Sequence, residues 1–163
     1  MATLTTRPAP VWLRELTDAR AQYEEELAWP VSLQVGRRDL AIVVGGGIAA
    51  IGMPARLGAR VRQNLDIAML CGPIVADPGR TWWTFLIQPV GVIRPDVAHD
   101  LAAVRVRIAP RGACVEIPLS LKASNSIGWH WVQRPRPAQP LPPGAVVVAT
   151  VRRLTWDDGQ LAA

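Results

Sequence analysis

A chain of 163 residues with 50% hydrophobic and 19% charged side chains, and a mean hydropathy of +0.17, is long enough for one core and too apolar for wholesale disorder. The net charge of +5 comes from 18 basic against 13 acidic residues, and Lys122 is the only lysine. Such an arginine-rich chain suits a phosphate-bearing partner or a merely solvated surface, while two cysteines and two histidines without ligand spacing argue against a zinc site or other cofactor.

The start, MATLTTRPAPVW, has no basic segment followed by an apolar core. The longest uncharged run, Leu40 to Ala55, is shorter than the roughly 20 apolar residues of a membrane span. A cytoplasmic location with no membrane partner is expected.

Residues 1–9 are polar and proline-bearing, a mobile N-terminus. Trp12, Leu16, Ala19, Tyr23 and Leu27 then recur at three- and four-residue spacing, which predicts an amphipathic helix ending before Pro30. Glu24, Glu25 and Glu26 diverge around that helix, so they form a solvated acidic end rather than a metal cluster. Val31 to Val35, Leu40 to Val44 and Ile48 to Met53 read as three short strands. Gly45, Gly46 and Gly47 between the last two read as a hairpin turn, because a strand-like run follows them where a nucleotide-binding loop needs a helix.

Ala55 to Leu65 predicts a second helix, with Leu57, Val61 and Leu65 on one face. Arg56 and Arg60 lie on the other, where two like charges at i, i+4 repel unless an anion shares them. Ile67 to Val75, broken at Gly72 and Pro73, and Thr81 to Ile87 are strand candidates around the turn Asp77-Pro78-Gly79-Arg80. Trp82 and Trp83, being adjacent on a strand, must face opposite sides. Asp96 to Ala103 predicts a helix. A strand then begins at Arg105, with Val106 and Ile108 inward and the guanidiniums of Arg105 and Arg107 together on the other face.

Val115 to Leu119 and Trp129 to Val132 are further extended pieces, with the polar segment Ser120 to Ser126 between them. Residues 134–144, RPRPAQPLPPG, form a stiff proline-rich connector. Ala145 to Leu154 reads as a last helix, although its valines also suit a strand, and 155–163 are left as a C-terminal tail.

Common catalytic signatures are absent: no G-x-S-x-G, no H-E-x-x-H and no phosphate-binding G-x-x-x-x-G-K-[ST]. Asp39, Asp66, Asp77 and Glu116 fall mainly at element ends, where caps and turns account for them.

The order of these pieces nevertheless resembles the N-terminal domain of bifunctional DNA primase/polymerases, the Prim-Pol domain, over residues 10–154. Ala28-Trp29-Pro30-Val31 resembles that family's Gly-Trp-Pro-Val start, and Leu40 to Gly47 its N-I-G-I-V-T-G run. Arg111-Gly112 through Val115, Pro118 and Ser120, followed by Trp129-His130-Trp131, resembles its R-G-x-G-G run and the Tyr-x-Trp strand after it.

The resemblance implies an α/β (α+β) single domain, a mixed sheet with flanking helices like a primase/polymerase core. It departs where chemistry would sit, since Gly52 and Pro54 stand at the positions of the family's metal-binding acids, and Thr81 or Trp82 at its histidine. Neither glycine nor proline holds a metal. The expectation is a catalytically inactive module, with no catalytic and no metal residues, that binds single-stranded or duplex DNA. Arg56, Arg60, Arg80, Arg105, Arg107 and Lys122 are the candidate phosphate contacts, with Trp82, Trp129 and His130 at the bases. The competing expectation is a regulatory subunit that presents the scaffold to a protein partner or a second copy.

Overall fold

The computed structural model describes residues 9–122 and 127–161, with side chains up to Trp156. Residues 1–8 of the expected mobile N-terminus and residues 123–126 of the polar segment lie outside the described residues. Helix α1 (Val11–Leu27) leads into strands β1 (Val31–Gln34), β2 (Asp39–Val43) and β3 (Ala49–Pro54), then helix α2 (Ala55–Ile67). Strands β4 (Ile74–Ala76) and β5 (Trp82–Ile87), helix α3 (Pro95–Ala103), and strands β6 (Arg107–Ile108), β7 (Cys114–Ile117) and β8 (His130–Gln133) precede helix α4 (Gly144–Leu161).

The α/β class holds, and the fold is one α+β domain. In place of a single mixed sheet there are two, and every strand pairing in them is antiparallel: β1-β2-β7 and β6-β3-β5-β4-β8. The larger sheet is central and buried on both faces. On one face Ala49, Ile51, Met53, Ile74, Phe85 and Ile87 pack under Val61 and Leu65 of α2 and Val147, Val151 and Leu154 of α4. On the other, Ala50, Val75, Leu86 and Trp131 meet Leu40, Ile42, Val115 and Ile117 of the smaller sheet and Leu16 and Tyr23 of α1. Alternation along each strand makes this division, since neighbouring residues point to opposite faces.

Several expectations are corrected. The triple glycine makes a tight turn, with Gly45 and Ile48 exchanging backbone hydrogen bonds of 2.8 and 3.0 Å, but β2 and β3 on either side belong to different sheets. All three glycines have positive φ, which suits the expected hairpin turn closed by the Gly45–Ile48 antiparallel bridge, and beyond that single bridge the two strands diverge into different sheets instead of pairing with each other. The strand expected from Arg105 begins at Arg107; Arg105 is left-handed (φ 60°) in the turn that closes α3, where Arg105 N donates to Ala102 O and Val106 N to Leu101 O. The two guanidiniums therefore do not share a strand face. The tail expected from residue 155 is helical, as α4 continues to Leu161. The proline-rich connector lies along the sheet end, with Gln88 N donating to Pro142 O at 2.9 Å and the Pro142 ring against Gly72.

One buried polar link ties the layers together. The hydroxyl of Tyr23, fully buried on α1, donates to Pro118 O at 2.7 Å and accepts from Trp131 Nε1 at 3.1 Å. Burial pushes this phenol well above its usual range, with the Trp131 bond acting in the opposite sense. Burial likewise pushes the Cys71 thiol from its ordinary 9.0 up to about 12, helped by Asp66 and opposed by Arg62.

Both groups are acids with raised folded pKa, so above the unfolded values the folded chain holds more protons than the unfolded one. Stability is therefore expected to be insensitive to these groups below pH 9.0 and to fall as pH rises through the folded value of Cys71. Urea midpoints at about pH 7, 9 and 11 measure this. Tyr23→Phe, which leaves Trp131 Nε1 and Pro118 O unpartnered, is expected to lower stability by about 1–3 kcal/mol at neutral pH and to shrink the alkaline decline.

Candidate functional site

The sheet face that meets the smaller sheet is not covered along its whole length. Around Gly52 it opens into a groove of about 380 Å³ bounded by Gly52, Trp82, Thr84, Arg107, Glu116 and Trp129. Its floor follows from strand register: Gly52 pairs with Thr84 on one side and Arg107 on the other, while Pro54 pairs with Trp82. Its far wall is β7, an edge strand bonded only to β2.

The Asp77 turn aims Trp82. Asp77 Oδ1 accepts from the backbone of Thr81 at 2.7 Å and of Trp82 at 2.8 Å, and Oδ2 accepts from Thr81 Oγ1 at 3.1 Å. Trp83 then turns to the helix side, where Gly58 of α2 sits against its ring, and Trp82 turns to the groove, as adjacency on a strand requires. The Trp82 indole rests on Gly52: a Cβ added there would lie 2.5 Å from Nε1 and 3.0 Å from Cε2. A side chain at 52 and the indole at 82 exclude one another.

Three sequence-expected residues thus come together, Trp82, Arg107 and Trp129, from β5, β6 and the approach to β8. Arg107 is exposed and makes no ion pair among the described residues, whereas Glu116 opposite it is bound by Arg37 at 2.7 Å. The groove therefore presents aromatic faces beside an uncompensated guanidinium. Arg80 sits at the exposed tip of the Asp77 turn, left-handed at φ 57°. Lys122 is exposed beyond Ser120, whose Oγ accepts from its backbone at 3.2 Å.

Arg56 and Arg60 are elsewhere. They project from α2, on the helix side of the central sheet, into a cavity of about 650 Å³ that Pro54, Leu57, Val104 and Thr155 complete. Arg105 is exposed immediately after Val104. His130 is a correction: it is 7% exposed, in register with Ala76, and its Nδ1 lies 3.1 Å from Gly128 O. A carbonyl only accepts, so Nδ1 carries the proton, and the ring is not presented to a ligand.

Thr84 and Glu116 belong to the groove and were missed. Thr84 is two residues from Trp82 and shares its face, so strand periodicity carried that signal. Glu116 arrives through the pairing of β7 with β2, for which no local pattern exists.

Among the described residues no three His, Cys, Asp or Glu side chains are grouped to hold a metal ion, and no helix is long and apolar enough to cross a membrane. No known protein family, curated protein or solved structure matches the chain, so the Prim-Pol resemblance stands on its motifs alone.

The Gly52 contact has a measurable consequence. Gly52→Ala is expected to cost about 1–3 kcal/mol by overpacking the indole. In a Trp82→Ala background the same change should be nearly neutral, and denaturant unfolding of the four proteins gives the coupling. Additive costs would show that the indole does not rest on Gly52.

Proposed function

We propose that this chain is a nucleic-acid-binding module without nucleotidyl-transfer chemistry, and that the groove between its sheets takes unstacked bases of a single strand. The convergence of Trp82, Trp129 and Arg107 in one groove carries this reading. Base–aromatic stacking is worth about 1–3 kcal/mol per base and tolerates any sequence, and a guanidinium beside it neutralises the neighbouring phosphate. A groove of about 380 Å³ accommodates a base taken out of its stack and not a duplex, so single-stranded DNA or RNA is favoured over the double helix. A cytoplasmic location belongs to the same proposal.

The floor of the groove supports a reading without transfer chemistry. Two-metal phosphoryl transfer needs carboxylates that clamp the ions. Gly52 and Pro54 occupy the positions where the resemblance would put them, and the indole of Trp82 fills the space over Gly52.

A protein-interaction role is the competing reading, favoured by Ile67, Met69 and Leu70 at the end of α2, which are 78%, 89% and 39% exposed. Self-association through them would appear as concentration-dependent sedimentation that Met69→Asp abolishes.

Fluorescence anisotropy with labelled single- and double-stranded oligonucleotides across a salt series tests the main proposal. Micromolar binding to single strands is expected, declining with salt. Trp82→Ala should weaken it by about 1–3 kcal/mol. Arg107→Ala should flatten the salt dependence by roughly one phosphate's share, about 0.7 in the logarithmic slope. Equal binding by the Trp82→Ala protein would sink the groove reading.

A further inference from the structure

β7 walls the groove with its main chain, and part of that main chain is turned away from its only partner strand. We propose that the open edge of β7 reads the Watson–Crick edge of an unpaired base lying in the groove, with Cys114 C=O accepting from the base and Glu116 N–H donating to it. This rests on the reading of the groove as a single-strand site, and adds what recognises a base once it is stacked there.

The phase of the ladder decides which groups are available. β7 pairs with β2 alone, with Ala41 opposite Glu116, Ile42 opposite Val115 and Val43 opposite Cys114. In an antiparallel pair, opposed residues alternate between those that exchange hydrogen bonds and those that do not. Val44 N donates to Ala113 O at 2.9 Å, so Ala113 is a bonded position and the next ones are Val115 and Ile117. Cys114 and Glu116 therefore turn N–H and C=O away from β2. Neither takes part in a backbone–backbone hydrogen bond outside the strand ladders among the described residues.

Their side chains are engaged elsewhere. Val115 and Ile117 are buried against the central sheet, so Cys114 and Glu116 carry their side chains on the other face of the smaller sheet. There Cys114 Sγ accepts from Gln34 Nε2 at 3.7 Å, and Glu116 is bound by Arg37 at 2.7 Å. Cys114, Val115 and Glu116 nonetheless border the groove together. Three consecutive side chains on a strand cannot all point one way, so what the three share at the groove is the main chain.

Stacking on an aromatic ring satisfies the faces of a base and leaves its polar edge to be paired, and a donor or acceptor left unpaired there is costly. Unstacked bases are read on that edge, where a donor lies next to an acceptor: N3–H and O4 in thymine, N6–H and N1 in adenine. One C=O and one N–H from the residues flanking Val115 match such a pair and tolerate any base. A base already paired in a duplex has neither group to offer.

The length of the edge fits a base better than a peptide. Pro118 has no N–H and its C=O accepts from Tyr23 at 2.7 Å, so the run ends there. Two outward residues are fewer than a strand of ordinary length, about 5–6 residues, needs for pairing, and short edges are one way sheets avoid an added strand.

Anisotropy of the intact chain with an oligothymidine, and with the same oligomer methylated at every N3, tests the proposal. The methyl group removes the donor and blocks the edge while the ring still stacks. The unmethylated oligomer is expected to bind about tenfold more tightly, the share of one or two neutral hydrogen bonds. Glu116→Pro deletes the outward N–H without removing a ladder bond to β2, and proline is tolerated at such edge positions. It should lose most of the difference between the oligomers. Arg37→Ala, which breaks the same ion pair and keeps every main-chain group, should retain it.

Equal binding of the two oligomers by the unsubstituted chain, still weakened by Trp82→Ala, overturns the proposal and leaves the groove as a site that stacks bases without reading them. Binding of neither oligomer overturns both. A Glu116→Pro protein that is folded by circular dichroism and keeps the full difference overturns the assignment to β7. If that variant does not fold, the comparison of the two oligomers on the unsubstituted chain decides.

Discussion

Burial of the five-stranded sheet on both faces is the condition from which the other features follow. A strand covered on one side alone tolerates polar residues at every second position; β3 and β5 do not have that freedom. Ala49, Ile51 and Met53 answer to the helices, and Ala50 answers to the smaller sheet and α1. Gly52 is the point where the second cover ends. Packed layers are about 10 Å apart, a gap side chains must fill. At Gly52 the strand supplies none, so Trp82 reaches across from β5 to fill it, and the remaining space is the groove.

Much of this architecture was legible because its signals are local. The periodicity of Trp12, Leu16 and Tyr23 gives α1, and that of Leu57, Val61 and Leu65 gives α2, since a helix that buries one face must repeat apolar residues at its own pitch. The same logic separates Trp82 from Trp83. What was not legible depends on distant partners. Two apolar runs around three glycines look alike whether the runs pair with each other or with β7 and β5. Only the tertiary pairing decides, and it sends β2 and β3 to different sheets. Arg105 resembled the start of a strand because Val106 and Ile108 alternate around Arg107, yet α3 needs a left-handed residue to end and no glycine is there to supply it. Residue types named the groove's Trp82, Arg107 and Trp129, but nothing local showed that these three would meet, or that His130 would be buried beside them.

The Gly52–Trp82 contact decides what this corner can hold. An indole held by the Asp77 turn lies over Gly52, so a carboxylate placed at that position would require moving the tryptophan as well. Two elements together make the corner an apolar surface. Aromatic area with one unpaired cation suits stacking and weak phosphate contact, and it disfavours a dehydrated metal, which needs several oxygen ligands.

Charge completes the argument. Arg20, Arg37, Arg62, Arg94 and Arg152 pair with carboxylates, so they contribute little field beyond their immediate neighbours. Arg56 and Arg107 have no ion-pair partner among the described residues, and both stand near the same end of β3: Arg107 pairs with Gly52, and Pro54 leads directly into α2. The groove and the arginine cavity therefore open on opposite faces at one end of the central sheet. At physiological salt the screening length is about 8 Å, shorter than the roughly 10 Å between packed layers, so the charges on the two faces of the sheet act largely independently.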